Sequence, residues 1–231
     1  MKIDFKYYEH FGRLNEFKAY LELMETQLEE AKRLSGAKEF AGYDLSDPEL
    51  ENEYHALKGQ HDDYYDDNLA GIFRRSFIIS FHSYIELWLE GLCRKVQKSN
   101  GTTKLLLKDL KGDSMERVNR YLEIVLGVKI SDSPDWDYLG DLKRIRNCLV
   151  HADGIIERVG TEKDKLRLWK LVEGNSVKSS PSGITVDKPI RIIQGARINA
   201  KLVILPSFCV QSVNAAEGFF TAALKLTKIY P

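Results

Sequence analysis

Asp141-Leu142-Lys143-Arg144-Ile145-Arg146-Asn147-Cys148-Leu149-Val150-His151-Ala152-Asp153-Gly154 is the stretch on which the interpretation of this chain turns. Leu142, Ile145, Leu149 and Val150 recur at helical spacing, and Gly154 is a natural stop just beyond them. The stretch therefore predicts the last turns of a helix. Near its end stand Arg146, Asn147 and His151. Arginine presents a planar fork to phosphate oxygens, and imidazole takes or gives a proton near neutral pH. Asn147 can orient either group. Together they form a phosphate-handling set.

Helix geometry limits what one copy of this set can do. At ~100° and ~1.5 Å per residue, Arg146 and His151 lie ~140° apart and ~7.5 Å along the axis. One regular helix does not aim both at one atom. Either the helix unwinds before His151, or a second copy of the motif faces the first, which predicts a site at a homodimer interface.

A long apolar helix is predicted upstream, over residues 68–98. Phe73, Phe77, Phe81, Tyr84, Ile85, Trp88, Leu92 and Val96 form one stripe, widened by Ile72, Ile78, Ile79, Leu87 and Leu89. A helix apolar on most faces belongs at the centre of a bundle. Arg-Asn-x-x-x-His at a helix end, preceded by such a core helix, resembles the Rx4–6H signature of HEPN domains, in the form with Asn after the Arg. The resemblance covers roughly residues 65–155. It implies a mainly α, antiparallel helical bundle that dimerises. In many members it also implies metal-independent RNA cleavage in toxin or antiviral defence systems. HEPN toxins paired with a nucleotidyltransferase antitoxin often carry a Tyr two residues after the motif His. Here that position is Asp153, which speaks against regulation by tyrosine modification.

Composition fits a soluble globular protein. The 231 residues are 43% hydrophobic and 29% charged, enough for one domain with a substantial core. No apolar run approaches the ~18 residues of a membrane span. Met1-Lys2-Ile3-Asp4-Phe5-Lys6 lacks an apolar signal core, so a cytoplasmic location is expected. Cys93, Cys148 and Cys209 are far apart and odd in number; they suit a reducing compartment and provide neither a disulfide framework nor a zinc set. Residues 1–70 carry 17 acidic and 8 basic side chains, the remainder 17 acidic and 26 basic. That asymmetry fits either a polyanion-facing side or two faces that attract each other.

Along the rest of the chain, residues 4–35 predict a helix, with Gly36 as its stop. A second is expected from Pro48 to about Lys58. Gly59-Gln60-His61-Asp62-Asp63-Tyr64-Tyr65-Asp66-Asp67 fits an acidic helix start better than a metal site, because further ligands are missing. Residues 104–110 predict a short helix, and Gly112-Asp113-Ser114 begins another that runs to about Leu126. After Gly154 the pattern alternates. Ile155 to Val159, Leu166 to Val172, Ile184 to Val186, Ile190 to Ile193 and Lys201 to Leu205 predict strands of a small antiparallel β appendage. A C-terminal helix follows from Ser207. One HEPN-like domain is thus expected: a helical core over 1–154, a β-rich insertion over 155–206 outside that core, and a helix over 207–231 packing back.

Cutting RNA without a metal requires deprotonation of the 2′-OH, protonation of the 5′-oxygen, and stabilisation of the phosphorane charge. Two motifs across a dimer supply two His and two Arg. Arg146 holds phosphate, His151 is acid or base, and Asn147 orients His151 or binds phosphate. Lys143, Arg144, Arg94 and Lys95 are expected to track RNA phosphates, and Glu86 and Asp141 to line the site. A purely structural role would instead have His151 interact with the helix dipole, Arg146 pair with Asp153, and Glu86 satisfy His82. The expectation is an endoribonuclease without metal or cofactor, with RNA, a second copy and an antitoxin or other defence-system protein as partners, and no membrane. The alternative is a non-catalytic HEPN dimer that binds nucleotide, RNA or a partner protein.

Overall fold

The computed structural model describes residues 5–101, 105–172, 190–193 and 200–228. The chain is mainly helical. Its helices are α1 (Phe5–Glu39), α2 (Pro48–Asp63), α3 (Ala70–Asn100), α4 (Ser114–Leu126), α5 (Trp136–His151), α6 (Glu162–Val172) and α7 (Pro206–Thr227), with strands β1 (Ile190–Ile193) and β2 (Lys201–Ile204) before the last helix. Among the described residues no helix is long and apolar enough to cross a membrane.

The apolar stripe of α3 puts that helix at the centre. Phe77, Ile78, Phe81, Ile85, Trp88, Leu89, Leu92 and Val96 are buried. Four helices close around it, and α4 adds Met115, Val118, Tyr121 and Leu122 to the shared core. From α1, Phe17 meets Phe81 edge-on at 5.0 Å and Phe77 at 5.8 Å. The Glu25 carboxylate accepts two hydrogen bonds, at 2.8 and 2.7 Å, from Arg74. From α7, Phe220 stacks on Trp88 with ring centroids 3.8 Å apart. Helix α5 contributes Leu139, Leu142, Ile145, Cys148 and Leu149 to the same core. It runs antiparallel to α3, since Arg75 near the start of α3 meets Asp153 just beyond the end of α5.

Several boundaries differ from the sequence expectation. Helix α1 passes through Gly36 to Glu39. The acidic stretch does not begin a new helix: α2 continues to Asp63, and a π-helical turn, Tyr64–Leu69, carries it into α3. Asp62 and Asp66 are held there by Lys32 of α1, at 3.3 and 2.8 Å. The helix predicted over 104–110 shrinks to a 3-10 turn, Leu107–Asp109.

The larger correction concerns residues 155–206. Leu166 to Val172 is helix, not strand, and Ile156–Arg158 is a 3-10 turn. The start of α6 is fixed by Thr161: its hydroxyl accepts from the Asp164 N–H at 3.1 Å and donates to the Asp164 carboxylate at 2.7 Å. Leu168 and Leu171 enter the common core, as do Ile156, Leu202 and Ile204. The described part of the segment is therefore built into the bundle rather than set outside it. β1 and β2 pair antiparallel, from Ile190 opposite Ile204 to Ile193 opposite Lys201. The strand predicted at Ile184 to Val186 lies outside the described residues.

Candidate functional site

Helix α5 remains helical through His151. It closes immediately after, where the Ala152 and Gly154 N–H groups both donate to the Cys148 carbonyl, at 3.0 and 2.9 Å. Asp153 and Gly154 both take positive φ, +52° and +78°. The Asp153 carboxylate is gripped by Arg75 at 2.6 Å and Lys201 at 3.6 Å, and Arg75 and Lys201 hold its carboxyl below the usual range. β2 is stitched to the same turn, since Leu202 N–H donates to the Gly154 carbonyl at 2.9 Å. Asp153 thus partners Arg75 rather than Arg146, and the end of the motif is clamped by α3 and β2.

Since α5 does not unwind, Lys143, Arg146, Asn147, Val150 and His151 share a helix sector ~140° wide that is not in the core. Arg146 and His151 stand at its two edges. Arg146 donates to the Asn147 side-chain oxygen at 3.0 Å, so Asn147 orients the guanidinium, and the Arg146 Nε is buried without a hydrogen-bond partner. His151 is exposed. Cys148 is buried in the core, and burial pushes its thiol up to about 12, which removes it as a nucleophile at neutral pH.

Next to Arg146 lies a polar layer contributed by three helices. His82 and Glu86 come from α3, with Nδ1 and Oε2 3.6 Å apart. Glu86 accepts a short hydrogen bond from the Ser114 hydroxyl at the start of α4. Asp113 caps that helix by accepting from the Glu116 N–H at 3.1 Å, and pairs with Lys143. Burial raises the Asp113 carboxyl, but Lys143 and the N–H groups of Glu116 and Met115 outweigh it, and the net shift is downward. Asp113 stands at the start of this helix as expected, and no local pattern announced its meeting with Lys143. Glu86 is thus linked to Lys143 through Ser114 and its neighbour Asp113, and Lys143 stands one turn from Arg146 on α5.

His82 is buried, and neither ring nitrogen has a hydrogen-bond partner. Burial pushes the imidazole down to about 4. Glu86 and Asp113 oppose the shift, while the Arg146 and Lys143 charges reinforce it. A base with a depressed folded pKa stabilises the fold above its unfolded value, ~6.5, and that stability is lost as pH falls through the folded value. Between pH 6.5 and 4 the Tm of the protein is therefore expected to fall more steeply than that of His82→Gln. Scanning calorimetry across that window checks it, and parallel curves would contradict it.

Other residues expected at the site are placed elsewhere. Asp141 is buried on another face of α5, toward α6, where Arg167 and Arg144 hold it. Arg144 also bonds Asp164 at 3.0 Å. Both therefore fasten α6 to α5 and do not line the motif face. Arg94 pairs with Glu90 at 3.0 Å. Arg94 and Lys95 lie ~18 Å and more along α3 from His82, at ~1.5 Å per residue. Of the four expected phosphate-tracking residues, only Lys143 adjoins Arg146. Among the described residues no group of His, Cys, Asp and Glu could hold a metal ion. Comparison with protein-family models, with curated proteins and with solved structures gives no match.

Proposed function

We propose that this chain is a HEPN-type endoribonuclease that cuts RNA without a metal, at a site shared between two copies of the chain. The observation that carries this is the continuity of α5 through His151. A helix that stays regular does not bring Arg146 and His151 of one copy onto one phosphate, which supports a facing copy of the motif. Val150, 42% exposed, sits between the two residues, and α3 leaves Ile72 and Leu87 64% and 65% exposed. These are apolar groups that a second copy would cover.

In the facing arrangement, Arg146 of one copy meets the charge of the phosphorane while His151 of the other moves the proton. Asn147 holds the guanidinium. Buried His82 and half-buried Glu86 adjoin it, and Lys143 adds positive charge beside the scissile phosphate. The attacking group is the neighbouring 2′-OH, and the products carry a 2′,3′-cyclic phosphate and a free 5′-OH. A toxin or antiviral defence role, with an antitoxin or related protein as a partner, follows from the HEPN resemblance. The test is direct: purified protein is incubated with generic RNA in EDTA, and the product ends are identified by mass spectrometry. Cleavage with cyclic ends is expected; strict dependence on a divalent ion would overturn the mechanism.

A further inference from the structure

A cleft of about 460 Å³ opens between the C-terminal half of α1 and α2, on residues that the Arg146 site does not use. Its walls include Phe40, Tyr54 and His61, with Lys32, Arg33 and Lys58 around them. The volume is in the range of ~300–1,000 Å³ typical of small-molecule sites.

His61 makes this more than a surface groove. The residue is only 8% exposed, yet neither ring nitrogen has a hydrogen-bond partner. Its Nδ1 stands 3.5 Å from the nearest Asp62 oxygen. A buried polar ring without partners costs free energy, and a ligand hydrogen bond would recover it. The ring is flanked by Phe40, 5.5 Å away edge-on, and Tyr65, 4.9 Å away.

The walls define the ligand. Phe40 and Tyr54 present aromatic surface for a flat ring. A neutral imidazole offers one donor and one acceptor. Of the lining cations, Lys32 bonds Asp62 and Asp66 and Lys58 bonds Asp62, so both lysines are already paired. Arg33 is paired with Glu30 on an exposed turn, a contact worth little and easily exchanged.

We propose that this cleft binds an aromatic anion: a planar ring inserted beside Phe40, Tyr54 and His61, bearing a phosphate or carboxylate that meets Arg33. The test is a titration of the full-length protein with adenosine 5′-monophosphate, salicylate and inorganic phosphate. It is followed by the histidine Cε1–H resonances and by calorimetry. At least one aromatic anion is expected to shift the His61 signal and saturate below about 1 mM, with inorganic phosphate at least 10-fold weaker. The stronger of the two aromatic probes identifies phosphate or carboxylate as the anionic group. His61→Phe keeps a ring against Phe40 and Tyr65 but removes both nitrogens, and should weaken binding at least 10-fold. Arg33→Gln, at an exposed position, should weaken it severalfold whether or not His61→Phe folds. The proposal is overturned if neither aromatic probe moves His61, if inorganic phosphate binds as well, or if both variants bind as the parent does. None of these readouts depends on RNA cleavage.

Discussion

Arg146→Ala and His151→Ala are each expected to lower RNA cleavage by about 10²–10⁴-fold, the usual consequence of removing a positioned proton-transfer group or a donor to a developing charge. Neither side chain contributes to the apolar core; His151 is exposed and Arg146 half-buried. Stability should therefore change by only about 1 kcal/mol. The two substitutions should separate from a folding defect in a thermal melt run beside the RNA assay. Arg146→Lys should fail almost as badly, because an ammonium does not reproduce the planar fork on phosphate. It also loses the geometry of the Asn147 contact, 3.0 Å from Arg146 Nη1. Full cleavage by His151→Ala would remove the mechanism and leave a non-catalytic binding dimer as the better account.

Trp88→Ala should act oppositely, destroying stability while leaving the chemistry alone. Trp88 is buried, stacked on Phe220 at 3.8 Å and 6.3 Å from Phe219. It fastens α3 to α7, ~120° around α3 from His82. Truncating a buried tryptophan removes its transfer free energy and leaves a cavity that close-packed neighbours fill only in part, a loss of about 3–5 kcal/mol. For a chain of this length that is a Tm drop of roughly 10 °C. Cleavage measured well below the new midpoint should remain near the parental rate. A drop of less than about 1 kcal/mol would mean that α3 and α7 do not pack as described.

Where one periodicity dominated, the sequence was enough. The stripe of α3 was legible: Phe73, Phe77, Phe81, Ile85, Trp88, Leu92 and Val96 are buried as expected, Tyr84 is partly buried, and of the residues that widened it Ile72 and Leu87 are exposed. The motif helix and its stop at Gly154 were legible for the same reason. Leu166 to Val172 misled because Leu-Arg-Leu-Trp alternates over four residues, while Leu168 and Leu171 also satisfy helical spacing. The deciding signal was upstream, in the Thr161-x-x-Asp164 cap. Gly36 misled because a glycine inside a helix looks like a stop; here His61 packs against it. At the site, the sequence placed Arg146, Asn147 and Lys143 together because they share a helix face. It did not show that Asp141 and Arg144 turn toward α6, where Arg167 and Asp164 hold them, or that Arg94 pairs with Glu90. The layer joining Glu86 to Ser114 and Lys143 to Asp113 is made by tertiary packing of three helices, and no local pattern announces it.

The shared site has a decisive test in complementation. Arg146→Ala and His151→Ala proteins, each inactive alone, are mixed under conditions that exchange subunits, and exchange is verified by co-purification through differently tagged copies. If Arg146 of one copy works with His151 of the other, every mixed dimer contains one intact site. Random exchange makes half the dimers mixed, so the mixture should recover about a quarter of the parental activity. A mixture that exchanges subunits yet remains inactive would contradict the shared site.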